Sequence, residues 1–216
     1  MTSFNTGCVL CPRLAAFLSE VRVDYPSYFA RPVPAFGNAS ARLVIVGLAP
    51  GMHGANASGR PFTGDHAGII LYQTLHKFGF ASAAESLSAD DGLRLIDCRI
   101  TNAVKCLPPQ NKPVASEINT CNTWLSRELE QLPDKHVIIA LGGIAHKAVI
   151  SALGLKQADY GFGHAKEHAL EYGTLIDSYH CSRYNTQTRR LTEPMFEVVF
   201  KRARGLIKSS QRRNGK

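Results

Sequence analysis

Two groups of side chains in this sequence could do chemistry. The first is a set of cysteines. Cys8 and Cys11 form a C-x2-C pair, which lets two thiolates reach one centre from a single turn, and Cys106 and Cys121 follow far along the chain, with 14 residues between them. Only folding could gather these four. On chemistry alone four thiolates suit zinc and an iron–sulfur cluster equally, and a lone C-x2-C also serves redox sites. The plainer reading makes Cys106 and Cys121 small buried hydrophobes. Cys98 reads as core, and Cys181 is not placed by any pattern. Without a visible secretory signal, six cysteines argue against a disulfide scaffold.

The second group is polar and lies just past short apolar runs. Asp65 closes the loop Gly59-Arg60-Pro61-Phe62-Thr63-Gly64, where it suits a helix N-cap or a working carboxylate. Phe62 in that loop could pack or could stack on a flat ligand. Asn102 carries an amide that can donate to one ligand atom and accept from another. His180 could be a satisfied hydrogen bonder or a donor to a ligand oxygen. Ser182, Arg183, Asn185 and Arg189 make a polar stretch that could meet phosphates or remain a solvated loop. Gly47, Pro50, Gly51, Gly142 and Gly143 suit close backbone approach. His53 is ambiguous, and His66, His76, His136, His146, His164 and His168 follow no pattern.

Stepping from these residues to what must hold them, four apolar, β-branched runs read as buried strands: 43–47, 98–104, 136–141 and 174–179. Amphipathic stretches at about 68–78, 115–132 and 144–153 read as helices between them. A last helix is expected over 194–208, with Pro194 in its first turn. The segment 80–92 is polar, rich in small residues, and expected as a surface loop. Strands alternating with helices predict an α/β fold: a three-layer αβα sandwich around a central, mostly parallel four-stranded sheet. Such sheets take ligands at the carboxyl ends of their strands, which is where the polar group falls.

Length and composition agree. The 216 residues, 44% of them hydrophobic, suit one domain over 1–216. No apolar run approaches the roughly 18 residues of a membrane helix, so a cytoplasmic protein with no membrane partner is expected. The formal charge of +8 is concentrated at one end. Residues 201–216 hold seven basic side chains and no acidic one; the rest carries 18 basic and 17 acidic. This basic C-terminal tail is either a polyanion contact or a solvated terminus. No G-x-G-x-x-G follows the first strand, which counts against a dinucleotide site.

Three stretches together resemble a known family. Gly47-Leu48-Ala49-Pro50-Gly51-Met52-His53-Gly54, continued by Gly59 to Asp65, looks like the first motif of type-b uracil-DNA glycosylases, the broad-specificity iron–sulfur branch of that superfamily. Thr101-Asn102-Ala103-Val104-Lys105-Cys106-Leu107-Pro108-Pro109 is similar to the second motif. The run from His180 to Thr192 resembles the third. The resemblance extends from Cys8 to about Thr192.

It implies a DNA-repair glycosylase, working as a monomer, that hydrolyses the bond between sugar and a deaminated base flipped out of DNA. It implies a [4Fe–4S] cluster on Cys8, Cys11, Cys106 and Cys121. It further implies Asp65 as the carboxylate near the sugar and His180 as the group that holds the leaving base. Asn102 would recognise the base and Phe62 stack on it, beside Gly47 and Gly51. Ser182, Arg183, Asn185 and Arg189 would then meet DNA. Where better-known branches carry a carboxylate in the first loop, this chain has Leu48 and Ala49, as in type b. Cys181 and Arg189 stand where many relatives have proline and glycine, which bears on substrate range and on how the duplex is wedged open.

Overall fold

The computed structural model describes residues 4–214, with side chains described as far as Ser209. Its centre is a six-stranded sheet built from β1 (Phe36–Gly37), β2 (Leu43–Gly47), β3 (Cys98–Asn102), β4 (His136–Leu141), β5 (Glu167–Ala169) and β6 (Gly173–Ser178). The strand order is β1-β3-β2-β4-β6-β5. The four inner strands are mutually parallel and correspond to the four expected runs. The sheet is nonetheless mixed and six-stranded, not four-stranded, because an antiparallel strand closes each edge. Those edges are two and three residues long, too short to show an alternation in the sequence.

The inner strands are apolar on both faces because both are covered. Leu43 and Ile45 of β2 face a cluster with Leu71, Tyr72 and Leu75 of α3 (His66–Lys77) and Phe196, Val199 and Phe200 of α7 (Glu193–Asn214). Val44 and Val46 face the other way, onto Leu125 of α4 (Ala115–Leu129) and Ala145, Ala148 and Val149 of α5 (Gly143–Ala152). A third, smaller cluster joins Leu14, Leu18 and Val21 of α1 (Pro12–Asp24) to the segment after β3 and to Cys121. Two short helices complete the chain, α2 (Ala55–Ser58) and α6 (Arg183–Gln187).

Register matters most for function. Gly47 pairs with Asn102, and Leu141 pairs with Ser178. The first two polar loops therefore leave the sheet side by side, and the third leaves from the same edge. α7 runs past the expected end at residue 208, so the basic tail continues a helix as far as Asn214. Within it Arg202 forms a bidentate pair with Glu167 (2.7 and 2.9 Å) and Arg204 lies over Phe80 (4.7 Å). These two are engaged by the protein itself. The side chains of Arg212 and Arg213, and Lys216 altogether, lie outside the described residues.

Candidate active site and cysteine corner

At the carboxyl end of the sheet lies a cavity of about 360 Å³. Phe62, Asp65, Asn102, His180, Ser182 and Gly51 line it, together with Leu48, Ala49, Ala55, Ala67 and Asn111. A hollow of about 530 Å³ at the opposite end of the strands, around His136 and Tyr172, carries none of the expected polar groups.

The floor is set by β2 and β3. Asn102 is 3% exposed, and its Oδ1 is buried without a hydrogen-bond partner. An orphaned buried acceptor costs about 1–3 kcal/mol, which a ligand donating to it would recover. Gly47 stands next to it. A Cβ there would collide with Asn102 Oδ1 and would come within 2.6 Å of the Phe62 ring. Only glycine lets the amide and the ring approach over the strand end. Phe62 is 6% exposed with φ of 55°, a left-handed conformation that costs a bulky residue energy. Its loop folds back because Gly68 follows: a Cβ at 68 would run into the Phe62 carbonyl.

Asp65 is the N-cap of α3. Its Oδ1 accepts from the Gly68 N–H at 2.8 Å. Its Oδ2 faces the turn at Gly51 and Gly54, where a Cβ on Gly54 would sit 2.6 Å away. The cap therefore occupies one oxygen and leaves the other to the cavity. Burial raises the Asp65 pKa above the ordinary carboxylate value; the Gly68 and Ala67 amides and His66 oppose this. His180 lies across the cavity, its ring 6.1 Å from that of Phe62 and inclined by 29°. Burial lowers its pKa to about 4, so at pH 7 it is a neutral imidazole with one N–H to give.

The remaining expected residues divide. Ser182 caps α6, its Oγ accepting from Asn185 N at 3.4 Å, and it reaches the cavity rim. Arg183 is exposed and lines a neighbouring hollow that shares Asp65. Asn185 points inward: its Nδ2 donates to the His180 carbonyl at 2.8 Å. Arg189 is exposed with φ of 56° and does not line the cavity. Gly142, also at positive φ, lies under His180, whose Cβ would be 3.5 Å from a Cβ there. Sequence reasoning missed Asn111, which reaches the cavity from the loop after Cys106 with φ of 57°. It also missed His66, whose Nε2 meets Thr186 Oγ1 at 3.0 Å and so ties the start of α3 to α6. Neither has a local sequence signal, since each acts across a long loop.

The four cysteines gather elsewhere, on a second cavity with Phe4, Leu14, Val104 and Trp124. The arrangement is held by an ion pair: Arg13, beside Cys11, grips Glu117 at the start of α4 with contacts of 2.7 and 2.8 Å. Lys105 N–H points at Cys121 Sγ at 3.3 Å. Burial, reinforced by the other three thiols, pushes Cys106 up to about 12; burial likewise pushes Cys121 up to about 11, against the pull of Lys105. Such thiols ionise when a metal centre supplies the compensating charge. Cys98 and Cys181 are buried apart from this set.

A family model described as the uracil DNA glycosylase superfamily matches residues 34–204. The Type-5 uracil-DNA glycosylase of Thermus thermophilus is 47% identical over 207 residues, covering 93% of this chain and 94% of that protein. That of Pyrobaculum aerophilum is 40% identical over 202 residues, covering 91% and 88%. The Type-4 uracil-DNA glycosylase of Saccharolobus solfataricus is 31% identical over 174 residues, covering 77% and 74%.

Proposed function

The chain belongs to the uracil DNA glycosylase superfamily, and on that premise we propose that it hydrolyses the N-glycosidic bond of uracil and related deaminated bases in DNA, leaving an abasic site. The observation that carries this reading is the orphaned Oδ1 of Asn102 beside Phe62 and His180. Uracil presents an N–H next to a carbonyl on its pairing edge, and hypoxanthine presents the same order. Cytosine and adenine present an acceptor next to an amino group. Asn102 Oδ1 can accept the N–H while its Nδ2 donates to the carbonyl, a match that deaminated bases offer and their parents do not. The base reaches the cavity only when flipped from the stack, and Phe62 gives it a ring to lie on.

Cleavage separates an electron-poor sugar from an anionic base, and water adds to the sugar carbon. Asp65 Oδ2 is on hand for the sugar side, either to face the developing positive charge or to position the water. His180 serves the base side. Being neutral, it donates a hydrogen bond to the base oxygen as charge develops rather than handing over a proton. Thymine offers the same pairing edge as uracil, so the two differ only in whether the cavity has room for a methyl group at C5.

The four gathered cysteines fit a [4Fe–4S] cluster. They line one cavity, and four thiolates are the donor set that such a cluster takes. Held there, it would tie the N-terminal turn to the β3 loop and α4. The excision chemistry is assigned to the cavity residues alone.

The test is direct. Purified protein is incubated with oligonucleotides holding one uracil, hypoxanthine or thymine, and abasic sites are cleaved with alkali. Strand breaks at uracil and hypoxanthine, with thymine intact, are expected. Tight binding of the uracil strand without breaks would replace this reading with that of a lesion binder.

A further inference from the structure

We propose that His146, His168 and Asp177 form a second metal site, distinct from the cysteine corner, for a divalent transition-metal ion such as Zn²⁺. The three come from α5, β5 and β6 and are 1%, 7% and 0% exposed. His146 Nδ1 lies 2.7 Å from Asp177 Oδ1, and His168 Nε2 lies 3.0 Å from Oδ2. Two donors about 2.1 Å from one tetrahedral ion stand about 3.4 Å apart, so these side chains would open by less than about 1 Å to admit it.

The ring of His146 decides between a metal and a plain hydrogen-bonded brace. Its other nitrogen, Nε2, meets the Tyr160 carbonyl at 2.7 Å. Both nitrogens therefore face acceptors, but a neutral imidazole carries one N–H. With that N–H on Tyr160, the Nδ1 lone pair points at a carboxylate oxygen, so either a proton or a metal ion lies between them. A metal ion does so without an imidazolium sealed in the core. A ligating histidine whose far N–H is fixed by a backbone carbonyl is the usual outer-shell arrangement of metal sites. Two imidazoles with one carboxylate, which can bind through both oxygens, suit zinc, cobalt or nickel; they are too nitrogen-rich for calcium or magnesium. Gly163 N–H, 3.2 Å from Asp177 Oδ2, completes the surroundings. Binding would displace the ring proton that His168 Nε2 gives to Asp177, and any on His146 Nδ1, into solvent. Neither a glycosylase reaction nor the cysteine site is needed for this inference.

Purified protein, with its iron measured in parallel, is dialysed against Zn²⁺ and then metal-free buffer, beside the variant His168→Ala. Wild type should hold one equivalent of zinc more than the variant, with equal iron. After brief chelation, adding Zn²⁺ to about a hundredfold excess over Kd should raise the wild-type Tm by roughly 5–10 °C and leave the variant unmoved. Should His168→Ala fail to fold, His168→Gln keeps a donor to Asp177 while removing the ligand. Equal zinc in wild type and variant, or no zinc-dependent Tm shift in wild type, overturns the site and leaves a proton-held brace.

Discussion

The cavity at the strand ends and the cysteine corner are built on opposite terms. Cavity residues come from the carboxyl ends of parallel strands and the segments that leave them, so the sheet register, with close packing at Gly54 and Gly68, brings Asp65, Asn102 and His180 near one another. Their polar atoms are left wanting: an amide oxygen has no donor, and a histidine is held neutral by burial. The cysteines come from an N-terminal turn, a loop and a helix up to 113 residues apart, and need the Arg13–Glu117 ion pair and a small core of their own. In one region unmet polar capacity is kept for a ligand that comes and goes. In the other, four thiols are gathered on one cavity. Substitutions should therefore cost activity in the first and integrity in the second.

The sharpest test of that division is the pair Asp65→Asn and His180→Ala. Each removes one charge-stabilising group from the cavity, and each should lower single-turnover cleavage of a uracil strand by roughly 100-fold or more. Asparagine keeps an oxygen for the Gly68 cap, so the Tm of Asp65→Asn should stay within a few degrees. Near wild-type cleavage by Asp65→Asn would remove the carboxylate from the mechanism. Cys121→Ser should do the reverse. Losing one of four ligands should bleach the broad visible absorbance of a bound cluster and lower Tm by roughly 5 °C or more. If the visible band and Tm survive, Cys121 is only core and is not a ligand of the cluster.

The pH dependence separates the regions further. His180 has its pKa lowered to about 4 from an ordinary 6.5. The folded state thus takes up its proton less readily than the unfolded chain. This contribution is fully present above about 6.5 and is lost as pH falls toward 4, by up to about 3 kcal/mol before allowance for partial solvent contact. Denaturation midpoints of His180→Gln should fall less steeply over that window than those of wild type. Asp65 is shifted the other way, upward, and should therefore put an acid limb on the cleavage rate at a pH above the ordinary carboxylate range. Asp65→Asn, with its residual rate, should lack that limb.

The inner strands, the flanking helices and the cavity motifs were legible because each is a contiguous run whose pattern follows from burial on both faces or from turn chemistry. α1 was legible in principle: Pro12 opens it, and Leu14, Leu18 and Val21 fall on one face. Its cysteines drew the reading to metal chemistry instead. The edge strands were not legible, because pairings as short as Phe36 with Ile100 depend on the neighbour and not on the local residues. The His146–Asp177–His168 cluster was invisible for the same reason, with its members 9 to 31 residues apart on three elements.

Asn185 shows where sequence and structure part most usefully. In the sequence it stands in a polar stretch beside Arg183 and reads as a DNA contact. In the structure its amide donates to the main-chain oxygen of His180, which makes it a positioning residue for the base side of the cavity. The two roles differ in what Asn185→Ala should change. A lost phosphate contact would weaken DNA binding and reduce the slope of log affinity against log salt by about 0.9, with the rate at saturating enzyme unchanged. A lost brace of one neutral hydrogen bond, worth about 0.5–1.5 kcal/mol, should slow single-turnover cleavage roughly 2- to 12-fold and leave the salt slope alone. We expect the second outcome. Asn185→Asp, which keeps an oxygen but loses the N–H donor, should be slowed as much as alanine. A glutamine, long enough to reach DNA but displaced from the carbonyl, should not rescue the rate.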